Sequence, residues 1–357
     1  MTRFLLSFLV IVCCASGVLA KKIYVNDNSL TGDVYTTAFG AAINNGTTTS
    51  TPKLTLTQAY SIATTGDTIY VDAGTYNNDK NINITINGLQ IIGAGYSLTI
   101  FDHLFLGTST DYFGYINASN VTLKDLKVTG YENQGTQTPG HSGQAITIGG
   151  GATAIAGVLI ENIQTISNGQ SGGNPAIVVL ANTTATITGG GSFCNSPGTS
   201  YSGGVEAFGQ NINLLITDYI LGDNYKVGAF DGGGLRIEGD ATTLVTVKRT
   251  KISNNVASQG GGISVINGDL KMYDCVIDGN SAGQTLSTIY GGGIYISAGN
   301  ARFSRCHFKN NFQASGTLRG GAISARYSAT GGFSANKTIN ATIDSCVFQN
   351  NSPGTAG

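Results

Sequence analysis

The sequence predicts an all-β solenoid in which short strands stack in parallel, coil upon coil, and three observations predict it. A glycine-containing turn leads into a short alternating strand seven times. The first apolar positions of those strands are Ile146, Ile177, Val205, Leu235, Ile263, Ile294 and Ile323, with steps of 31, 28, 30, 28, 31 and 29 residues. Self-similarity at such a period marks a repeat architecture. A second motif runs in phase with it, from an apolar residue to an Asn eight positions on. Copies include ITDYILGDN (Ile216 to Asn224), VKRTKISNN (Val247 to Asn255), MYDCVIDGN (Met272 to Asn280) and FSRCHFKNN (Phe303 to Asn311). The third observation is composition: 52 Gly, 41% hydrophobic and only 11% charged residues, which argues against disorder.

Each period therefore carries at least two short strands with one buried edge, because apolar residues two apart share a face. Two-residue hairpins cannot pair strands this short within a period. The simplest closure lays each strand on its copy in the next period, about 4.8 Å away. Glycine runs such as GGGLRI (Gly232 to Ile237) and GGGIYI (Gly291 to Ile296) suit sharp corners. The aligned Asn column (Asn195, Asn224, Asn255, Asn280, Asn311 and Asn351) is expected at a tight turn, since Asn tolerates left-handed dihedrals.

Taken in order, residues 1–20 read as a secretory signal. Arg3 supplies the positive end, Phe4 to Cys14 the apolar run, and Val18-Leu19-Ala20 the cleavage site. That run is too short to span a membrane, and no later segment reaches eighteen apolar residues. Residues 21–53 lack the repeat and read as an irregular leader. A short helix is expected next, with Thr55 to Gln58 as a capping box and Leu56, Ala59, Tyr60 and Ala63 on one face. It would cap the open end of the solenoid, with the cap and first coils over 54–103 and repeat coils over 123–357. The chain stops at Gly357, where another glycine corner is due, so a further C-terminal segment or a partner is expected to cover that end.

The alternation of GG(A/G)(I/L) with (I/F)xxN resembles the repeat of the polymorphic outer-membrane protein group of adhesins. The segment LTLTQAYSIATTGDTIYVDAGTY, with INGLQIIGAG after it, is similar to the opening coil of the pectin-lyase-like superfamily. Together these resemblances cover Leu54 to the C-terminus and imply a right-handed parallel β-helix. The superfamily includes lyases, hydrolases, esterases and adhesins, so the fold leaves the activity open.

Net charge is −1, and −2 once Arg3 leaves with the signal, with no basic stripe to hold nucleic acid. Four cysteines remain after cleavage: Cys194, Cys275, Cys306 and Cys346. Cys275 and Cys306 fall on adjacent rungs, where an inward ladder of free thiols is expected and a disulfide is the alternative. No His or carboxylate column accompanies them, so neither a metal nor another cofactor is expected. Eight Asn-x-Ser/Thr sequons, at Asn45, Asn83, Asn117, Asn120, Asn182, Asn336, Asn340 and Asn350, are about what composition alone would generate.

On the strand after the glycine corner the outward position reads Thr147, Val178, Glu206, Arg236, Ser264, Tyr295 and Ser324. Glu206, Arg236 and Tyr295 form the candidate ligand face for a sugar; the plainer reading is an exposed cross-strand ion pair and a solvated tyrosine. Asp218, Arg249, Asp274 and Arg305 alternate in sign on consecutive rungs, as a stabilising column should. No carboxylates recur at rung spacing for Ca²⁺-assisted elimination or for hydrolysis. His103, His141 and His307 are scattered, with His307 expected outward and solvated.

The expectation is a secreted or cell-surface scaffold for adhesion or glycan contact, with glycans or cell-surface proteins as partners. The alternative is an extracellular polysaccharide lyase or hydrolase working along the strand of Glu206 and Arg236. A filler repeat without a ligand is the third reading.

Overall fold

The computed structural model describes residues 19–104, 111–131, 145–168, 175–195, 202–225, 231–283, 290–314, 320–326 and 338–352. The proposed signal segment lies outside them but for Leu19 and Ala20. Every strand pairing among the described residues is parallel, and each joins a strand to its counterpart one coil away. Connections between parallel strands of one sheet are right-handed. The chain is an all-β, right-handed parallel β-helix.

The coils carry three main ladders of strands rather than the minimum of two, and three coils add a fourth short strand, Val256–Ala257, Ser281–Ala282 and Phe312–Gln313. A first ladder runs from Lys22–Val25 and Thr68–Val71 to Gly299–Ser304 and Ile339–Asp344. A second runs from Gly74–Tyr76 to His307–Lys309 and Val347–Gln349. A third has nine strands, from Ile82–Ile84 to Ile323–Ala325. Strands Ile155–Ile166 and Thr183–Phe193 run through both the first and second ladders. Inward side chains stack by register. Ile146, Ile177, Val205, Leu235, Ile263 and Ile294 form one fully buried column.

Three corners close each coil. Between the first and second ladders one residue per coil takes a left-handed conformation: Asp125, Asn162, Gly189, Asp218, Arg249, Asp274, Arg305 and Ser345. The alternating-charge column is thus a corner as well. Arg249 grips Asp218 with Nε and Nη2 (2.7 and 2.6 Å), and Arg305 grips Asp274 likewise (2.7 and 2.8 Å). At the glycine corner Gly232, Gly260, Gly291 and Gly320 all have φ between 58 and 79°, a region that penalises residues with a Cβ.

The asparagine column corrects its expectation. The left-handed residue is the one before it (Ser167, Cys194, Asp223, Asn254, Gly279, Asn310, Asn350), and the Asn itself points inward. Asn255 Oδ1 accepts from both the backbone N–H and the side-chain Nδ2 of Asn224, each at 3.0 Å. Asn255 Nδ2 in turn donates to Asn280 Oδ1 (2.9 Å) and to Leu221 O (2.8 Å). The same pattern runs unbroken from Asn168 to Asn351. A carboxamide suits this position because its Nδ2 donates twice while its Oδ1 accepts twice, as at Asn255, and burial makes each unmade bond costly.

The leader is only partly irregular, since Lys22–Val25 pairs with Thr68–Val71 and begins the solenoid. The excursion that follows is tied down by the buried Asp72 carboxylate, which accepts from the N–H groups of Val34, Tyr35 and Thr36. The expected helix forms over Leu56–Tyr60, with Thr55 Oγ1 accepting from Gln58 N. The box is one residue looser than drawn, because Gln58 Oε1 accepts from Leu54 N instead of Thr55 N. Asp79 supplies the rest of the cap by accepting from Leu56 N and Thr57 N. Leu56 and Ala59 are buried in the core, with Tyr60 and Ala63 half-buried against it.

Replacing Asn255 with Ala strands Asn224 N–H, Asn224 Nδ2 and Leu221 O. Urea unfolding is expected to show a loss of about 3 kcal/mol, whereas Asn254→Gly, at the left-handed neighbour, stays within about 0.5 kcal/mol of the parent.

Candidate functional site

The outward column of the third ladder is buried over most of its length. Asn83 is exposed and Tyr115 half-buried at its start. Thr147, Val178, Glu206, Arg236, Ser264 and Tyr295 are all buried, and Ser324, at the last strand of the ladder, is partly open. Strand alternation sends these side chains away from the solenoid core, yet from Thr147 to Tyr295 they are buried. The expected exposed ion pair is therefore a buried cluster. Glu206 and Arg236 are register partners, and the Arg236 guanidinium bonds Glu206 on one side and Glu238 on the other. Burial opposes the charge on Arg236, but Glu206, Glu238 and Asp231 outweigh it and raise its pKa above the ordinary guanidinium value. Arg236 is locked in its protonated form.

Tyr295 stands apart from that cluster, two rungs beyond Arg236. Its ring stacks on Tyr290 (centroids 5.4 Å apart), and its hydroxyl donates to Arg326 O at 3.3 Å. With Ile266 these tyrosines make a small apolar cluster separate from the main core. Glu206, Arg236 and Tyr295 thus share a face without sharing a site.

Cys275 and Cys306 are buried free thiols on adjacent rungs, donating to Tyr273 O (3.2 Å) and Ser304 O (3.5 Å). Hydrogen bonding from Cys275 lowers the Cys306 pKa to about 7, while the same contact and burial push Cys275 up. Cys346 continues the column half-buried, and Cys194 is exposed at a corner. Among the described residues no three His, Cys, Asp or Glu side chains converge as metal ligands would. His103 is buried between Asp111 (3.2 Å) and the ring of Tyr131. His307 is half-buried rather than solvated, and His141 lies outside the described residues. Of the sequons, Asn45, Asn83, Asn120, Asn340 and Asn350 are exposed, Asn117 and Asn182 are half-buried, and Asn336 lies outside the described residues.

One feature carried no signal in the repeat. A cleft of about 460 Å³ crosses three successive coils where the third ladder turns toward the first. Its walls are three short segments, 150–152, 180–182 and 208–210, of which the last two are in register. Leu180 and Phe208 are register partners at the strand ends and supply apolar surface. Asn182 and Gln210 supply amides, and no lining residue is charged. The Glu206–Arg236–Glu238 cluster lies beside it, with Glu238 the register partner of Phe208.

No protein-family model matches the chain, and no curated protein matches it. Among solved structures it is similar to a rhamnogalacturonan lyase and to a pectate lyase, each at 14% identity and TM-score 0.46. Both matches cover 87% of this chain, with 87% of the first structure and 80% of the second. Likeness at that level carries no argument about chemistry. Among the described residues no helix is long and apolar enough to cross a membrane.

Truncating Arg236 to Ala leaves Glu206 and Glu238 buried without their cation and is expected to cost about 3–5 kcal/mol. An unpaired buried carboxylate has a raised folded-state pKa, so the deficit is greatest at neutral pH. It shrinks as pH falls toward the ordinary Glu value of about 4.3. Thermal melts of parent and variant across pH 4–8 measure both effects.

Proposed function

We propose that the chain is a secreted or cell-surface scaffold whose β-helix presents a groove for glycan contact without turnover. The observation that carries this reading is the cleft across coils 150–152, 180–182 and 208–210, with an apolar floor and an uncharged amide rim. Largely apolar pockets with a few polar groups are the usual form of small-ligand sites, and 460 Å³ falls within their range of about 300–1,000 Å³. The resemblance of the repeat to that of polymorphic outer-membrane adhesins supports a role in adhesion, as the apolar run after Arg3 supports export.

A lyase working through Arg236 is the poorer reading. Proton abstraction needs a base that is deprotonated at working pH, and the flanking carboxylates hold this guanidinium protonated. The same carboxylates are occupied by the guanidinium rather than paired with each other across an open site.

A glycan array run beside degradation assays on pectin, alginate and neutral polysaccharides tests the proposal. Retention of at least one glycan class with no soluble oligosaccharide released is the expected result. Sustained release of oligosaccharides from any of these polymers would replace the scaffold with an enzyme.

A further inference from the structure

We infer that the cleft takes an uncharged pyranose chain and discriminates against acidic sugars. This rests on the glycan-contact reading above and names the class of ligand. Gly150 and Gly209, with φ of +89 and +112°, turn the chain at the cleft, and a Cβ on either would collide with the neighbouring coil, at 2.6 Å from Leu180 Cδ1 and 2.9 Å from Ala181 Cβ. Glycine thus serves the turn and lets adjacent coils close against each other along the cleft wall.

The surface left behind suits a sugar ring. A pyranose has apolar C–H faces and a rim of hydroxyls, each both donor and acceptor. Phe208 and Leu180 offer apolar area to the faces. Asn182 and Gln210 offer carboxamides, which also donate and accept. The Asn182 carbonyl oxygen accepts from Asn211 Nδ2 at 3.0 Å, which fixes the amide and leaves its NH₂ to donate to a hydroxyl. Gln210 is exposed. Because the walls come from three coils, the cleft runs along the stacking axis for roughly 10 Å. That length favours an oligosaccharide over a single ring.

Charge sets the selectivity. No cation lines the cleft, and the ionised groups of the adjoining strands are Glu206, Glu238 and an Arg236 already bonded to both. A uronate placed over Phe208 would lose water without gaining a counter-ion, next to the acidic register partner Glu238. A neutral ring meets no such penalty.

The test is calorimetric titration of the full chain with cello-, xylo-, manno- and galacto-oligosaccharides, and with oligogalacturonate as the acidic counterpart. At least one neutral series is expected to bind, and oligogalacturonate at least about tenfold more weakly, the equivalent of 1.4 kcal/mol. Phe208→Ala is expected to weaken that binding about tenfold or more. Gln210→Ala, at an exposed position, is expected to weaken it with an unchanged melting temperature, which distinguishes a missing hydrogen bond to the sugar from a disturbed fold. If glycans bind but neither substitution matters, or if oligogalacturonate binds best, the cleft assignment is wrong while glycan contact stands. If nothing binds, both fall.

Discussion

Every backbone group in the solenoid must find its partner at the same position one coil away, and that demand governs the rest of the molecule. It holds coils to a spacing of about 4.8 Å, so whatever sits at a given position must tolerate its own copy above and below. Aliphatic side chains do so by stacking, and the asparagines do so by bonding in series. Opposite charges do so at the exposed corner, where Arg249 follows Asp218 and Arg305 follows Asp274. The glycine triplets meet the same demand by omission. A Cβ on Gly233 would lie 2.4 Å from Gly261 O of the next coil.

The face of the third ladder departs from this uniformity, and the candidate site is found there. Its outward side chains differ from coil to coil: an acid, a base, a serine, a tyrosine. Being buried, they cannot rely on water, so Arg236 bridges Glu206 and Glu238 while Tyr290 and Tyr295 pack together. The cleft opens at the strand ends beside these residues, where Leu180 and Phe208 give way to the amides of Asn182 and Gln210. A rigid ladder on one side and open turns on the other give a preformed groove whose walls have little freedom to lose on binding.

Much of this was legible in the residues. The period located the inward column from Ile146 to Ile294, and Thr55 with Gln58 located the capping helix. The alternation of sign at Asp218, Arg249, Asp274 and Arg305 foretold real pairs. Other features were hidden for physical reasons. Alternation reports which way a side chain leaves the strand, not what lies beyond it, so the burial of Glu206 could not be read. An Asn next to a turn has the same spelling whether its backbone or its amide is needed; the left-handed residue proved to be Asn254 and the ladder residue Asn255. The first strand, Lys22–Val25, lacks the glycine corner that marks later coils. The cleft drew no signal because the glycines and amides that line it read like any other turn.

The central claim, coils stacked in parallel register, is most directly tested by electron–electron distances between spin labels on the first ladder. Thr122 and Thr246 stand four coils apart through Leu159, Thr186 and Leu215, and Arg302 lies two coils further through Lys271. Labels at 122 and 246 should give a narrow distribution near roughly 19 Å, and labels at 122 and 302 one near roughly 29 Å, allowing for label length. Equal distances for the two pairs, or distributions too broad to resolve the added coils, would contradict the stacking from which all else follows.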